Sequence, residues 1–401
     1  MALVKGSREG RQEHVTETLK DACSYGKPCL LMYGNVRNGS APGKRRACSG
    51  SHFNVRTARV VKATMSQSST CEVQIDRRLV SCPACGGRSF TQLLSEEEVA
   101  DEGRWLREFH RKRLGHSDEK DVAEFTQSEA TQVVTCNGCD TVLRNPQPTP
   151  ESVRALYEED SYGARALEQL RDNQLDFFRS KAHDLPLGPG AKVLEVGSFV
   201  GAFLEASREL GWKALGVDIG EETASFCKSK GLHVIRGDFL NIDLETGWDA
   251  ITIWNTFDQL PQPKEVLDRC RFLLRSGGLL VLRVPNGSFK QICAETQKVS
   301  KERRRRRIMR AEVYGNMLTF PYLAGYTPRS LSHLLQTHHF SCERVLPDNI
   351  VRLTSADAPE WVWEEEQRVK RAITRACGLL HERTGSVTHP WFDLWARRGS
   401  E

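Results

Sequence analysis

The stretch Val193-Leu-Glu-Val-Gly-Ser-Phe-Val-Gly-Ala-Phe203 reads as a buried strand that runs into a glycine turn and then into a helix. Gly197 and Gly201 let the backbone approach a ligand closely at the carboxyl end of a strand, where open α/β sheets bind theirs. Phe203, Ala206 and Leu210 continue at helical spacing. Outward from this stretch the strand, turn, helix pattern repeats. Strands are expected at residues 192–196, 214–218, 233–236, 248–254 and 279–284, and two more near 341–346 and 391–396 complete seven. The fold class is therefore α/β, an open parallel sheet with helices on both faces, and no internal repeat is visible.

The charges at the strand ends narrow the ligand. Glu195 ends the first strand, where it would repel a pyrophosphate but suit an ammonium-bearing, cationic one. That favours S-adenosylmethionine over a dinucleotide. Asp218 ends the second strand, 23 residues later, where a carboxylate can accept both hydrogen bonds of a ribose diol; the spacing alone also fits a nicotinamide dinucleotide. Asp238 follows the third strand, placed to take a bond from an adenine amino group while Phe239 packs on the ring. Three acids ending three successive strands are a more specific signal than one glycine pattern. The bland alternative is an ordinary doubly wound domain with chance acids in its turns.

On these residues the chain resembles the class I S-adenosylmethionine-dependent methyltransferases from Lys192 to its end, which implies a Rossmann-like seven-stranded methyltransferase sheet. Phe199 replaces the middle glycine of the family turn, while Glu195, Gly197 and Gly201 keep their positions. The resemblance implies Glu195 and the glycine turn around the methionine part, Asp218 on the ribose, and Asp238 with Phe239 at adenine. Ile219 and Asn255 complete the expected cofactor-binding set. After the fourth strand, Trp254-Asn-Thr-Phe-Asp-Gln-Leu-Pro-Gln-Pro263 resembles the segment where many small-molecule methyltransferases carry a Glu-His pair, with Asp258-Gln259 in its place. Asp258 is by position the candidate general base, needed only if the acceptor must lose a proton; the alternative is a turn cap or a contact to the cofactor edge. The chain lacks the Asn/Asp-Pro-Pro-aromatic loop of enzymes that methylate planar amino groups, which leaves oxygen or carbon acceptors favoured.

Cys82, Cys85, Cys136 and Cys139 form two C-x2-C pairs, each followed by a turn residue, Gly86 or Asp140. Four thiolates close a tetrahedral shell, so a bound zinc would be structural and not catalytic. Against this stand two unrelated turns or a redox pair. The long stretch between the pairs exceeds the usual ribbon spacing, so a helical segment with Trp105, Leu106, Phe109 and Leu114 on one stripe must be inserted there. Asn145-Pro-Gln-Pro-Thr-Pro150 reads as a semi-rigid linker, and residues 151–183 as one or two helices. From residue 81 onward the arrangement resembles bacterial methyltransferases with an amino-terminal zinc ribbon, some of which act on sugars, lipids or other secondary-metabolite acceptors.

The chain has 401 residues, 39% hydrophobic and 27% charged, with no run long enough to span a membrane. Its net charge of +5 comes from residues 1–70, which hold 12 Lys and Arg against 4 Asp and Glu; the rest has 45 against 48. That acidic balance argues against a nucleic-acid partner and leaves a small-molecule acceptor. Thirteen cysteines with no secretory leader point to a reducing, cytoplasmic setting. The division expected is a disordered or mis-assigned leader (1–70), a ribbon-like unit with a helical insertion (71–146), linker and helices (147–190) and a methyltransferase domain (191–401). The leader is either a transit peptide or the product of a start placed ahead of Met65, and the second is favoured.

Residues 301–310, Lys-Glu followed by five arginines, read as a solvated helix face or a grip on phosphate. In the aromatic loop at 320–331, Thr327 caps a helix that begins at Pro328, and Tyr322 and Tyr326 either stack on an acceptor or pack in the core. His338 and His339 mark a helix end, Trp361 and Trp363 open a charged helix, and Trp395 packs in the last strand. Three functions compete: a small-molecule methyltransferase, an RNA methyltransferase gripping through the ribbon and the arginines, and a noncatalytic cofactor-binding scaffold.

Overall fold

The computed structural model describes residues 77–114, 131–158, 162–348 and 359–399. The expected leader lies outside the described residues. The amino-terminal unit holds β1 (Arg77–Arg78), β2 (Phe90–Leu94), α1 (Glu96–Leu114), β3 (Gln132–Cys136), β4 (Val142–Asn145) and β5 (Gln147–Pro148). The expected linker is thus strand at three of its six residues: β5 pairs antiparallel with β1, and Asn145 ends β4. Two helices follow, α2 (Pro150–Glu158) and α3 (Ala164–Asp184).

The carboxyl-terminal part alternates β6 (Lys192–Val196), α4 (Ala202–Glu209), β7 (Lys213–Asp218), α5 (Glu221–Ser229), β8 (Val234–Arg236) and β9 (Trp248–Trp254). It continues through α6 (Pro263–Leu273), β10 (Leu274–Pro285), α7 (Gly287–Lys298), α8 (Glu302–Tyr314), β11 (Ala324–Gly325) and α9 (Pro328–Thr337). It closes with β12 (Phe340–Asp348), α10 (Glu360–Thr384) and β13 (Trp391–Arg398).

Seven strands form one sheet in the order β12-β13-β10-β9-β6-β7-β8, an open Rossmann-like sheet with helices on both faces. All seven expected strands are present, but the sheet is not wholly parallel. β13 runs antiparallel to both β10 and β12, between which it is inserted. Apolar side chains alternate between two cores. Leu194, Ile251, Ile253, Leu280 and Leu282 face α6 and α9, and Val193, Ala250, Leu279 and Val281 face α3 and α4. Arg283, which interrupts the greasiest run, is fully buried on the second face, where Asp348 meets it at 2.9 Å and Trp391 lies under its guanidinium. Helix α9 starts on the expected Thr327, whose side chain accepts from Ser330 N at 3.1 Å.

A second, antiparallel sheet has the order β11-β4-β3-β2, so a strand from the aromatic loop of the carboxyl-terminal part completes the sheet of the amino-terminal unit. Among the described residues no helix is long and apolar enough to cross a membrane.

Candidate functional site

The carboxyl ends of β6, β7 and β8 open on a cavity of about 370 Å³. Gly197 and Phe199 form one wall; Asp218, Ile219 and Gly220 another; Asp238 and Phe239 a third. Thr256, Gln259, Leu260 and Pro261 close the far side, and α2 covers it with Arg154 and Tyr157. The size lies in the usual range for ligand pockets.

The turn after β6 is left-handed at three places. Gly197 has φ 76°, Phe199 46° and Gly201 72°. A Cβ on Gly197 would lie 2.5 Å from Thr256 Oγ1, so only glycine fits there. Gly201 serves a different end from the ligand approach expected of it: it is not on the cavity wall, and a Cβ there would meet Leu232 at 2.6 Å and Cys227 Sγ at 2.8 Å. Phe199 takes a left-handed backbone that a glycine would adopt without strain, and its ring meets Tyr162 edge-on at 5.5 Å.

Asp218 ties this turn to the next strand. Its carboxylate accepts from Phe199 N at 2.7 Å, Gly220 N at 3.0 Å and Thr223 Oγ1 at 2.7 Å. Burial raises its pKa against the opposing pull of those bonds. Glu195 lies behind the turn, 2% exposed, and its Oε2 has no hydrogen-bond partner among the described residues. Burial, then the charge of Asp218, push its pKa well up. Asp238 accepts from Leu240 N at 3.0 Å and Asn241 Nδ2 at 2.7 Å, and Arg154 pairs with it from across the cavity. Phe239 is buried, with the Arg269 guanidinium 5.5 Å from its ring centre.

Five of the expected residues, Gly197, Asp218, Ile219, Asp238 and Phe239, therefore share the cavity, whereas Glu195, Gly201, Asn255 and Asp258 are not on its wall. Asn255 does not line the pocket because Arg283 takes its side-chain oxygen; its carbonyl accepts from Gln259 Nε2 at 2.8 Å. Asp258 is buried in the turn Phe257–Gln259, both carboxylate oxygens lack partners among the described residues, and burial raises its pKa well up, against the Arg283 charge. Tyr322 and Tyr326 are core residues, Tyr326 against Phe257 with ring centres 5.4 Å apart. Arg154, Tyr157 and Gln259 were not foreseen as cavity residues; Tyr157 donates to Gln259. Only the Tyr-rich segment near 157–162 hinted at them, since the cover is built by a helix outside the repeating pattern.

The four expected cysteines meet as well. Their sulfurs all lie within 4.8 Å of one another, with Cys82 to Cys139 and Cys85 to Cys136 each at 3.5 Å. Each knuckle closes through a left-handed residue after its second cysteine, Gly86 at φ 76° and Asp140 at φ 64°. Four soft donors at this separation fit a tetrahedral zinc ion. The arginine run lies on α8, away from the cavity, with Arg303, Arg304, Arg306 and Arg307 exposed.

Residues 162–345 match the family model described as a methyltransferase domain. The match spans 184 of the 401 residues. The chain is similar to the ubiquinone biosynthesis O-methyltransferase of Xanthomonas campestris pv. campestris (strain B100), 28% identical over 162 residues that cover 35% of this chain and 66% of that one, just under two thirds of its length. Among solved structures, a chain of the complex containing the Haloferax volcanii Trm112 methyltransferase activator matches at TM-score 0.41 and 13% identity, covering 59% of this chain and 95% of that one. A SAM-dependent methyltransferase from Aquifex aeolicus matches at TM-score 0.36 and 14% identity, covering 59% and 100%.

Proposed function

We propose that this chain is an S-adenosylmethionine-dependent methyltransferase that acts on a small-molecule acceptor at oxygen or carbon. The carrying observation is the glycine turn bound to Asp218, with an unpaired, buried Glu195 oxygen behind it: a site furnished with acids, where a sulfonium and an ammonium are welcome and a pyrophosphate is not. The turn around Gly197, backed by the buried Glu195, would face the methionine part, Asp218 and Ile219 the ribose, and Asp238 with Phe239 the adenine. Gly201 holds the turn's packing, and Asn255 orders the opposite side through Arg283. The cosubstrate supplies an activated methyl on a sulfonium; the protein's part is to align the acceptor and exclude water.

Asp258 is the candidate base for an acceptor hydroxyl, a role that requires its turn to open because the carboxyl is buried off the cavity wall, and the oxygen-methylating name of the Xanthomonas relative favours such an acceptor. Cys82, Cys85, Cys136 and Cys139 would hold a structural zinc in a ribbon-like unit spanning 71–146, followed by linker and helices at 147–190 and a methyltransferase domain at 191–401. The thiol-rich chain suits the reducing cytoplasm. Isothermal titration with S-adenosylmethionine tests the reading, paired with an assay for S-adenosylhomocysteine release. Micromolar binding that Asp218→Asn weakens about 100-fold is expected; no heat with the wild-type protein overturns it.

A further inference from the structure

We infer that Arg144 is a positioning residue for the methyl acceptor: from the cysteine-bearing unit it fixes residues 319–325 against the turn that walls one side of the cavity. The inference rests on the methyltransferase reading above. Arg144 lies on β4 and is fully buried despite its permanent charge. Its Nε donates to Pro321 O at 2.5 Å, and a terminal nitrogen donates to Thr319 O. Desolvating a guanidinium is costly, and carbonyl oxygens held at fixed points offset that cost while binding their loop to it.

The rest of the unit grips the same segment. Arg144 N and Gln147 Nε2 both donate to Leu323 O, at 3.2 and 2.7 Å. Ala324 and Gly325 pair with Leu143 and Val142 as β11. Glu102 accepts from Thr319 N at 2.9 Å while its carboxylate holds the buried Lys290 Nζ at 2.6 Å.

On its other side the segment touches the methyltransferase turn. Leu323 N donates to Asp258 O at 3.4 Å, and Tyr326 packs on Phe257. Phe257 and Asp258 share that turn with Gln259, and Gln259, Leu260 and Pro261 line the cavity. Gly197, Asp218 and Asp238 come from other turns. A disturbance at Arg144 therefore travels to the wall of Gln259, Leu260 and Pro261, which the reading above leaves for the acceptor, and meets the cofactor side only where Thr256 crowds Gly197; this gives the cysteine-bearing unit a part in substrate placement.

The test uses the full-length, metal-loaded chain with Arg144→Lys, which keeps the charge and loses the fork, and the milder Gln147→Met in case the first fails to fold. Titration with S-adenosylmethionine, steady-state kinetics with catechol as the phenolic acceptor probe, and hydrogen exchange at residues 255–262 and 319–325 are read together. Expected are a cosubstrate dissociation constant within about twofold of wild type, a catechol KM raised about tenfold with kcat nearly kept, and lost protection in those two segments alone. A purely structural contact would lower the melting temperature and leave the KM alone. Cosubstrate binding and exchange at 193–203 changing along with the acceptor side, or protection at 255–262 unaltered in both variants, overturns the inference. A wild-type chain that binds no S-adenosylmethionine fails the methyltransferase reading instead. If it binds cosubstrate but does not turn over catechol, exchange in the two segments decides.

Discussion

The cofactor end of the sheet and the cysteine-bearing unit are built by opposite strategies. At the cofactor end each polar group comes from the tip of its own strand, Glu195, Asp218 and Asp238 within 44 residues, and backbone amides of the adjoining turns hold Asp218 in place. In the cysteine-bearing unit the partners are far apart in the chain: Cys82 meets Cys139, Arg144 meets Thr319 and Pro321, and Glu102 meets Lys290. The first arrangement tolerates loss of one group without losing the fold, because the parallel sheet is secured by two apolar faces. The second has little core of its own and depends on a few strong, specific bonds.

The largest effect should therefore follow metal removal. Stripping zinc with a chelator, or Cys136→Ala, should destabilise the chain by several kcal/mol, about 3–5, and metal analysis should find one zinc per chain beforehand. Cosubstrate affinity measured well below the melting point should fall little; a collapse would show the two regions to be one unit. Next, Asp218→Asn should weaken S-adenosylmethionine about 100-fold, near 2.7 kcal/mol by titration calorimetry, and leave the zinc content unchanged.

Glu195→Gln sharpens the contrast through pH. The Glu195 carboxyl is raised from its ordinary value near 4.5, so the folded, ligand-free protein holds a proton there that the unfolded chain has released. Its contribution to stability is present below pH 4.5 and is lost as pH rises toward the folded value, with a slope of at most about 1.4 kcal/mol per pH unit for one proton. Denaturation midpoints followed from pH 5 to 8 should fall less steeply in the glutamine variant. Binding of the ammonium-bearing cosubstrate should release a proton from wild type and not from the variant, read from calorimetry in buffers of different ionisation enthalpy. The smallest effect is expected of Arg154→Ala. Its pair with Asp238 is about half exposed on the arginine side, so cosubstrate affinity should shift less than about threefold.

Legibility followed the same divide. The acids, Gly197 and the positions of the seven strands along the chain could be read because each signal is local, a turn following its own strand. The antiparallel run of β13 departs from the parallel sheet expected, since alternation within a strand carries no direction. Gly201 is legible as a turn glycine but not by what surrounds it: the Cys227 and Leu232 side chains that crowd it arrive from α5 and the turn after it. Asn255 and Asp258 were drawn toward the cavity on position alone, and the buried Arg283, which takes the Asn255 side chain, lies on another strand.

The sequence by itself determined the α/β sheet, the glycine turn, the acids at its edge and the four sulfur donors, because periodicity, left-handed turns and charge are properties of neighbouring residues. Only the tertiary structure decided which of those residues share a cavity, that α2 covers it, and that a buried arginine from the amino-terminal unit seizes a loop 175 residues away. Those outcomes are set by which surfaces bury one another, and the cost of stranding a charge or a carbonyl away from water selects the partner, whatever its distance along the chain.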